Sequence, residues 1–379
     1  MPRSLKVATV QMDAAPAPTP DRLARAATLA DQAAAQGAQL IVLPELFNVG
    51  YEYDDRNYGL AEPLSGQTMT WMKATAARLN AHLAGSFLLL DGDEVFNSAF
   101  IVAPDGRTWR YDKIYPYAWE RAYFREGRDI TIAETDLGKL GMLICWDCGH
   151  ADLWRRYAGQ VDALVVTSCP PMLQAAELVM PDGTRETATA AGVPIPSNVH
   201  FQDLDIHEQA GWLGVPVVAS AGGGHFRTHL PQPELSMFSQ LPLAKALPHA
   251  LNDAREVVLE AAYGQYAKII DAQGSQVAVV KADGDGIAVG DVTVADAPPK
   301  PSGEQPKLRM PAYMGWLIDW IGTTPMIPLY RSGLRRRWGN HMAPIDPRTL
   351  VWLWVIVGAL VLNFLLMPRK GVEVNVETR

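Results

Sequence analysis

Two spacings of apolar residues alternate along residues 1–296. Short apolar runs such as LKVATVQM at 5–12, QLIVL at 39–43 and the stretches 83–90, 141–145 and 163–168 have strand length. Runs of this kind read as strands buried on both faces. Between them, Leu23, Ala26, Ala27, Ala30 and Ala34 recur at helical spacing behind Thr19-Pro20 and stop at Gly37. A second helix is expected over 68–81 and another running to Tyr157. Residues 96–103 and 108–112 are placed to pair around Pro104-Asp105-Gly106. Residues 131–135 and 215–220 add strands, and 267–271 with 276–280 read as a hairpin. Strands with intervening helices predict an α/β layered domain. Two stretches interrupt the pattern, 170–198 and 225–249, with a weak helix following to about Ala262. Loops this long within a compact domain tend to be functional.

Beyond this domain the pattern changes. Residues 297–307 (APPKPSGEQPK) are rich in proline, so 297–312 reads as a linker. Residues 313–330 (YMGWLIDWIGTTPMIPLY) are aromatic but broken by prolines. They read as a segment lying on a membrane surface, or as an arm packed on its own domain or a neighbouring subunit. With the basic stretch that follows they form a juxtamembrane arm, 313–348. Residues 349–367 (TLVWLWVIVGALVLNFLLM) then carry no charge over nineteen positions. As a helix this is about 28 Å long, close to the hydrocarbon thickness of a bilayer. Trp352 and Trp354 stand near one end, with Arg369 and Lys370 at the other, and a single transmembrane helix is expected. Arg331, Arg335, Arg336, Arg337 and Arg348 precede it; Arg369, Lys370 and Arg379 follow. That bias predicts a single-pass cell-membrane protein with its catalytic domain on the cytosolic side and a short polar tail, 368–379, outside. MPRSLKVATVQMD contains no apolar core of a signal peptide, so none is expected to be cleaved. On this reading, ending the chain near Pro306 should yield a soluble domain that keeps its chemistry.

Composition narrows the classes. A 48% hydrophobic content excludes disorder as the main state, and a net charge of −8 argues against a nucleic-acid partner. Three cysteines argue against a disulfide scaffold.

The candidate chemistry lies at strand ends, where α/β folds place reacting groups. Cys145 closes the run GMLIC. A thiol there needs a partner to become a thiolate. His150, five residues on, is poorly placed for that role. Glu45 follows QLIVLP, and Lys113 follows TWRYD. A carboxylate can take the thiol proton, and a lysine can hold a thiolate or a developing oxyanion.

The pieces VATVQMD, LIVLPELFNVGY, NSAFIVAPDGR with YDKIYPY, and GKLGMLICWD, followed by VPVVASAGGG and IIDAQGSQVA, resemble the carbon–nitrogen hydrolase (nitrilase) superfamily. The resemblance implies an αββα four-layer sandwich and a Glu45–Lys113–Cys145 triad, with no metal and no organic cofactor. It also implies a second glutamate, for which Glu120 in WERAYFREG is the better match and Glu126 the alternative. Lys113 and the backbone N–H of Trp146 would hold the oxyanion. The substrate would be a small-molecule amide or nitrile, lipophilic ones included, with membrane lipid as a further partner. Members pair through helices flanking the nucleophile, so a homodimer or higher homo-oligomer is expected, with residues 151–157 near its interface. Cys145-Trp146-Asp147 combines the tryptophan of nitrilases with the acid of amidases, so the resemblance does not name the substrate. Two other readings stay open: an acyltransferase of the same superfamily, and redox or zinc use of the Cys145-x-x-Cys148 pair.

Overall fold

The computed structural model describes residues 2–187, 203, 205–229, 255–310, 312–324 and 326–339. The chain divides into two compact units, Met1–Met342 and Ala343–Arg379. The second unit, and with it the span expected at 349–367, lies outside the described residues. Among the described residues no helix is long and apolar enough to cross a membrane.

The first half of the domain runs β1 (Arg3–Asp13), α1 (Thr19–Ala35), β2 (Leu40–Val42), α2 (Arg56–Leu60), α3 (Gln67–Leu79), β3 (His82–Asp91), β4 (Glu94–Val102) and β5 (Thr108–Asp112). The second half adds β6 (Ile132–Thr135), β7 (Gly138–Ile144), α4 (Ala151–Tyr157), β8 (Ala163–Thr167), β9 (Glu177–Val179) and β10 (Arg185–Thr187). It continues with α5 (Ile206–Leu213), β11 (Val217–Gly223), β12 (His225–His229), β13 (Val258–Ala262), β14 (Lys268–Ile270), β15 (Gln276–Val279) and β16 (Gly286–Val294). Two short helices follow, α6 (Ala312–Trp316) and α7 (Met326–Trp338).

Strands in the order β5-β4-β3-β2-β1-β16 form one half-sheet, and β6-β7-β8-β11-β14-β15 the other. They join where Gln11–Asp13 of β1 pair in parallel with Ala221–Gly223 of β11. Each half has a parallel centre, β1-β2-β3 or β7-β8-β11, flanked by antiparallel strands. Only strands covered on both faces suit such a parallel centre. One apolar cluster links Val7, Val42, Ala99 and Tyr111 of the first half with Leu140, Met142, Val165 and Val217 of the second. The outer side of the first half is covered by Leu23, Ala26 and Ala30 of α1 and Met69 and Met72 of α3. Trp154 and Tyr157 of α4 and Ala210 and Leu213 of α5 join that same cluster from the second half. The result is an α/β fold with helices on the outer side of its sheet.

Three sequence expectations need correction. The weak helix ending near Ala262 is instead strand β13, which pairs with β12 on one side and β9 on the other. Burial of VLEA between two strands outweighs the local helix preference of its Glu and Ala. The two stretches that broke the alternation therefore meet in an additional sheet, β10-β9-β13-β12. Finally, residues 302–309 are no free spacer. Ser302 N–H donates to Trp212 O (3.1 Å), Gln209 Nε2 to Pro306 O (2.8 Å), and Gln305 Nε2 to Ala151 O (2.8 Å). Arg309 closes the strap on Asp205 and Glu208, each at 2.6 Å.

Candidate active site

Glu45 leaves the end of β2 through Pro44, its backbone N–H donating to Ser168 O at 3.3 Å. Its side chain is fully buried. Oε1 accepts from Lys113 Nζ (2.8 Å) and Asn97 Nδ2 (2.7 Å), while Oε2 is buried without a hydrogen-bond partner among the described residues. Burial, and secondarily Glu120, push this carboxyl up to about 7, against the pull of Lys113. An unpaired oxygen on a carboxyl that ionises near neutrality is the arrangement a proton acceptor requires.

Lys113 follows β5, with its backbone N–H on Asn97 O (3.0 Å) and its carbonyl accepting from Gly127 N–H (2.8 Å). A Cβ at Gly127 would stand 2.3 Å from Asp112 O, so only glycine allows this approach. The ammonium is fully buried and donates to both oxygens of Glu120, at 2.8 and 2.6 Å. Burial alone would lower its pKa. Glu120, Glu45 and Cys145 outweigh that effect and hold the lysine well above its ordinary value. Glu120 sits on the short turn Ala118–Ala122, anchored by Tyr117 N–H (2.7 Å) and the Tyr51 hydroxyl. Glu126, the alternative, is 42% exposed and paired with Arg121, so Glu120 is the glutamate at the lysine.

Cys145 begins the turn Cys145–Gly149 at the end of β7 with φ +47°. Of the four non-glycine residues with positive φ among the described residues, Leu46 follows Glu45, Ala118 precedes Glu120 by two positions, and Cys145 is the third. Such backbone costs roughly 1–3 kcal/mol per residue and clusters at functional sites. The Cys145 thiol is buried. Burial and the Glu45 charge push its pKa well up; Lys113 and a hydrogen bond from the Cys169 backbone act against them. The resting sulfur is therefore a thiol that must hand on its proton.

Two residues at this site were not foreseen in these roles. Asp147 is completely buried and braces the cysteine turn. Its carboxylate accepts from Tyr111 Oη (2.7 Å), Tyr115 N–H (2.9 Å) and Ile144 N–H (3.0 Å). Cys169, just past β8, supplies the amide to the Cys145 sulfur, and its own thiol donates to Tyr263 Oη at 3.6 Å. The available signal was position: TSCPP ends a third buried strand of the same parallel group. Cys148 is buried within the apolar cluster beside Trp154, whose Nε1 donates to its carbonyl (2.8 Å). Among the described residues no group of three or more His, Cys, Asp or Glu is gathered as metal ligands.

The C-terminal arm reaches the same region. Of the two placements open for 313–330, the described residues show packing on the chain's own domain, at Ile318 and Asp319 and again at the far end. Met326, Tyr330 and Leu334 are buried. The Tyr330 hydroxyl accepts from Val95 N–H (2.9 Å) and donates to Glu94, and Arg121 lies over its ring at 5.0 Å. Tyr313, Trp316 and Trp320 remain 65%, 52% and 46% exposed.

On this α/β fold a buried thiol at a strand end thus stands beside a carboxyl–lysine–carboxyl cluster. The sequence profile described as carbon-nitrogen hydrolase matches residues 6–299, and the chain belongs to that family. It is 32% identical to a nitrilase of Pyrococcus abyssi over 57% of this chain and 81% of the relative. It is also 32% identical to an omega-amidase of Danio rerio, over 38% of this chain and 56% of that protein. Among solved structures, a CN-hydrolase superfamily protein from Xanthomonas campestris aligns with TM-score 0.55 and 19% identity, covering 78% of this chain and 91% of the other. The amidase from Nesterenkonia sp. AN1 aligns with TM-score 0.55 and 16% identity, covering 76% and 92%. Such distant structures attest the fold alone. The family and its nitrilase and omega-amidase relatives make this chain a carbon–nitrogen hydrolase.

Proposed function

We propose that the protein cleaves a non-peptide amide or nitrile through a thioester on Cys145. The observation that carries this reading is the unpaired Oε2 of Glu45, on a carboxyl pushed up to about 7 at a site shared with the buried thiol. For an amide, Oε2 takes the thiol proton as the sulfur attacks the carbonyl carbon. The C=O electron pair moves onto oxygen, held by the Lys113 ammonium and the Trp146 backbone N–H. Collapse breaks the C–N bond, and the departing ammonia or amine takes the proton back from Glu45. A water then adds to the thioester carbon, giving its proton to Glu45. The C–S bond breaks, the carboxylic acid leaves, and the proton returns to the sulfur. Glu120 positions Lys113 and balances its charge throughout.

The uncharged stretch 349–367 supports a single membrane span with membrane lipid as a partner, and the excess of arginines before it supports a catalytic domain on the cytosolic side. The exposed Trp316 and Trp320 then offer an aromatic surface toward lipid. A homodimer or higher homo-oligomer is part of this reading, with residues 151–157 of α4 near its interface.

The test is release of ammonia or amine from a panel of nitriles, short amides, N-carbamoyl compounds and long-chain amides, with Cys145→Ala as control. Turnover of at least one compound by the wild type and none by the variant is expected. Equal turnover by both would overturn the assignment.

A further inference from the structure

The cysteine turn is held from outside the domain as well as from within. Asp319, in the turn Leu317–Gly322, accepts from Trp146 Nε1 through Oδ1 at 2.8 Å. Its Oδ2 lies 2.7 Å from His150 Nε2, and His150 Nδ1 lies 2.9 Å from the Trp146 carbonyl oxygen. Both partners of this imidazole are acceptors when Asp319 is ionised. The ring satisfies both only with a hydrogen on each nitrogen, as the imidazolium. It is stacked flat on Tyr115, centroids 3.6 Å apart and planes 1° apart, and its side chain is 9% exposed. Asp147 and, through the Tyr115 hydroxyl, Asp152 are the other charged groups facing it. Charged hydrogen bonds in such a dry place are among the strong ones.

These bonds grip Trp146 at two points, the indole and the carbonyl. Trp146 is also the residue whose backbone N–H faces the oxyanion in the mechanism above. The peptide that carries that N–H starts at Cys145, whose left-handed backbone is held by its surroundings rather than by its own preference.

We propose that Asp319 is a positioning residue for the hydrolysis: through the Trp146 indole and the His150 imidazolium, it fixes the Cys145–Trp146 peptide. The arm after the domain therefore completes the site rather than merely tethering it. This rests on the reading of Cys145 as the nucleophile.

The test compares Asp319→Ala, Asp319→Asn and Trp146→Phe in the full chain. Asparagine can accept from the Trp146 indole and donate its amide N–H to a neutral His150, restoring both contacts without charge. The first readout is the rate of Cys145 alkylation by iodoacetamide, followed on its peptide by mass spectrometry. The second is kcat and KM on whichever amide the substrate panel identifies, with melting temperature as a folding check. Asp319→Ala should slow alkylation and lower kcat by about tenfold or more while KM stays within about threefold, and Asp319→Asn should recover most of both. Trp146→Phe, which keeps an aromatic side chain but removes the indole donor, should share the loss in alkylation and kcat. Rates within about twofold of wild type for Asp319→Ala or Trp146→Phe would overturn the proposal. So would an Asp319→Asn variant that melts like the wild type yet is as slow as Asp319→Ala. Alkylation that depends on Asp319 in a protein that hydrolyses nothing would defeat the functional reading, and with it the role in hydrolysis, leaving only the control of Cys145 reactivity by Asp319.

Discussion

What would suit Glu45 to the proposed role of base also burdens the fold. Its side chain is fully buried with one oxygen unpaired, and its folded pKa stands at about 7 against an ordinary 4.5. A carboxyl raised in this way favours the fold fully below its unfolded pKa, and that contribution is lost as pH rises through the folded value. Wild type should therefore pay for an ionised Glu45 above neutrality, where a neutral amide would not. Glu45→Gln should lower kcat by roughly 10²-fold or more. It should also melt at or above the wild-type temperature at about pH 8, the advantage shrinking toward about pH 5. Calorimetry alongside steady-state kinetics checks both, and a variant that is inactive and also less stable at the higher pH would contradict the account. The wild-type rate should rise with pH through about 7, because only ionised Glu45 accepts the thiol proton. An acid limb near the ordinary carboxylate value would contradict it. Asp147 is a structural counterpart. Replacing it by Ala strips three donors of their buried acceptor and should cost about 2–4 kcal/mol in denaturant unfolding. A loss below about 1 kcal/mol would show that the turn holds without it.

At the scale of elements, what was legible in the sequence followed from local pattern. The parallel strands β1, β2, β7, β8 and β11 are buried along most or all of their length, so each is announced by a largely apolar run. Glu45, Lys113 and Cys145 were legible because each directly follows such a run or its hairpin. Strand β13 was not, because its partners β9 and β12 lie in separate stretches of sequence and its own VLEAA has no clear period. The strap at 302–309 and Asp319 were missed for a related reason. Proline richness and exposed tryptophans speak of a spacer or a membrane surface, whereas the docking resides in single polar side chains such as Gln305, Arg309 and Asp319. These contacts also revise the expectation that a chain ending near Pro306 keeps its chemistry. That truncation removes Asp319 from the cysteine turn, and Tyr330 from the region of the Glu120 turn. It should cut kcat at least about tenfold relative to a chain ending at Gly339, which retains both contacts. Equal activity of the two truncations would show the arm to be dispensable.

For the whole molecule, two half-sheets of like topology bring strand ends from both halves to one cluster. Glu45, Lys113 and Glu120 come from the first half and the turn after it, and Cys145 and the Cys169 amide from the second. The chemistry depends on both halves being docked, so partial unfolding of either should abolish it. The membrane reading belongs to this scale too. Removing 349–367 should move the protein from the membrane fraction to the soluble fraction, and no shift on fractionation would contradict a span there. The central claim, that Cys145 carries the acyl group, is tested most directly by quenching wild type during turnover of a good amide substrate and locating the acyl adduct by peptide mass spectrometry. The account predicts the adduct on Cys145 in the wild type and equally in Cys148→Ala. An adduct on Cys148 or Cys169, or sustained turnover by Cys145→Ala, would contradict it.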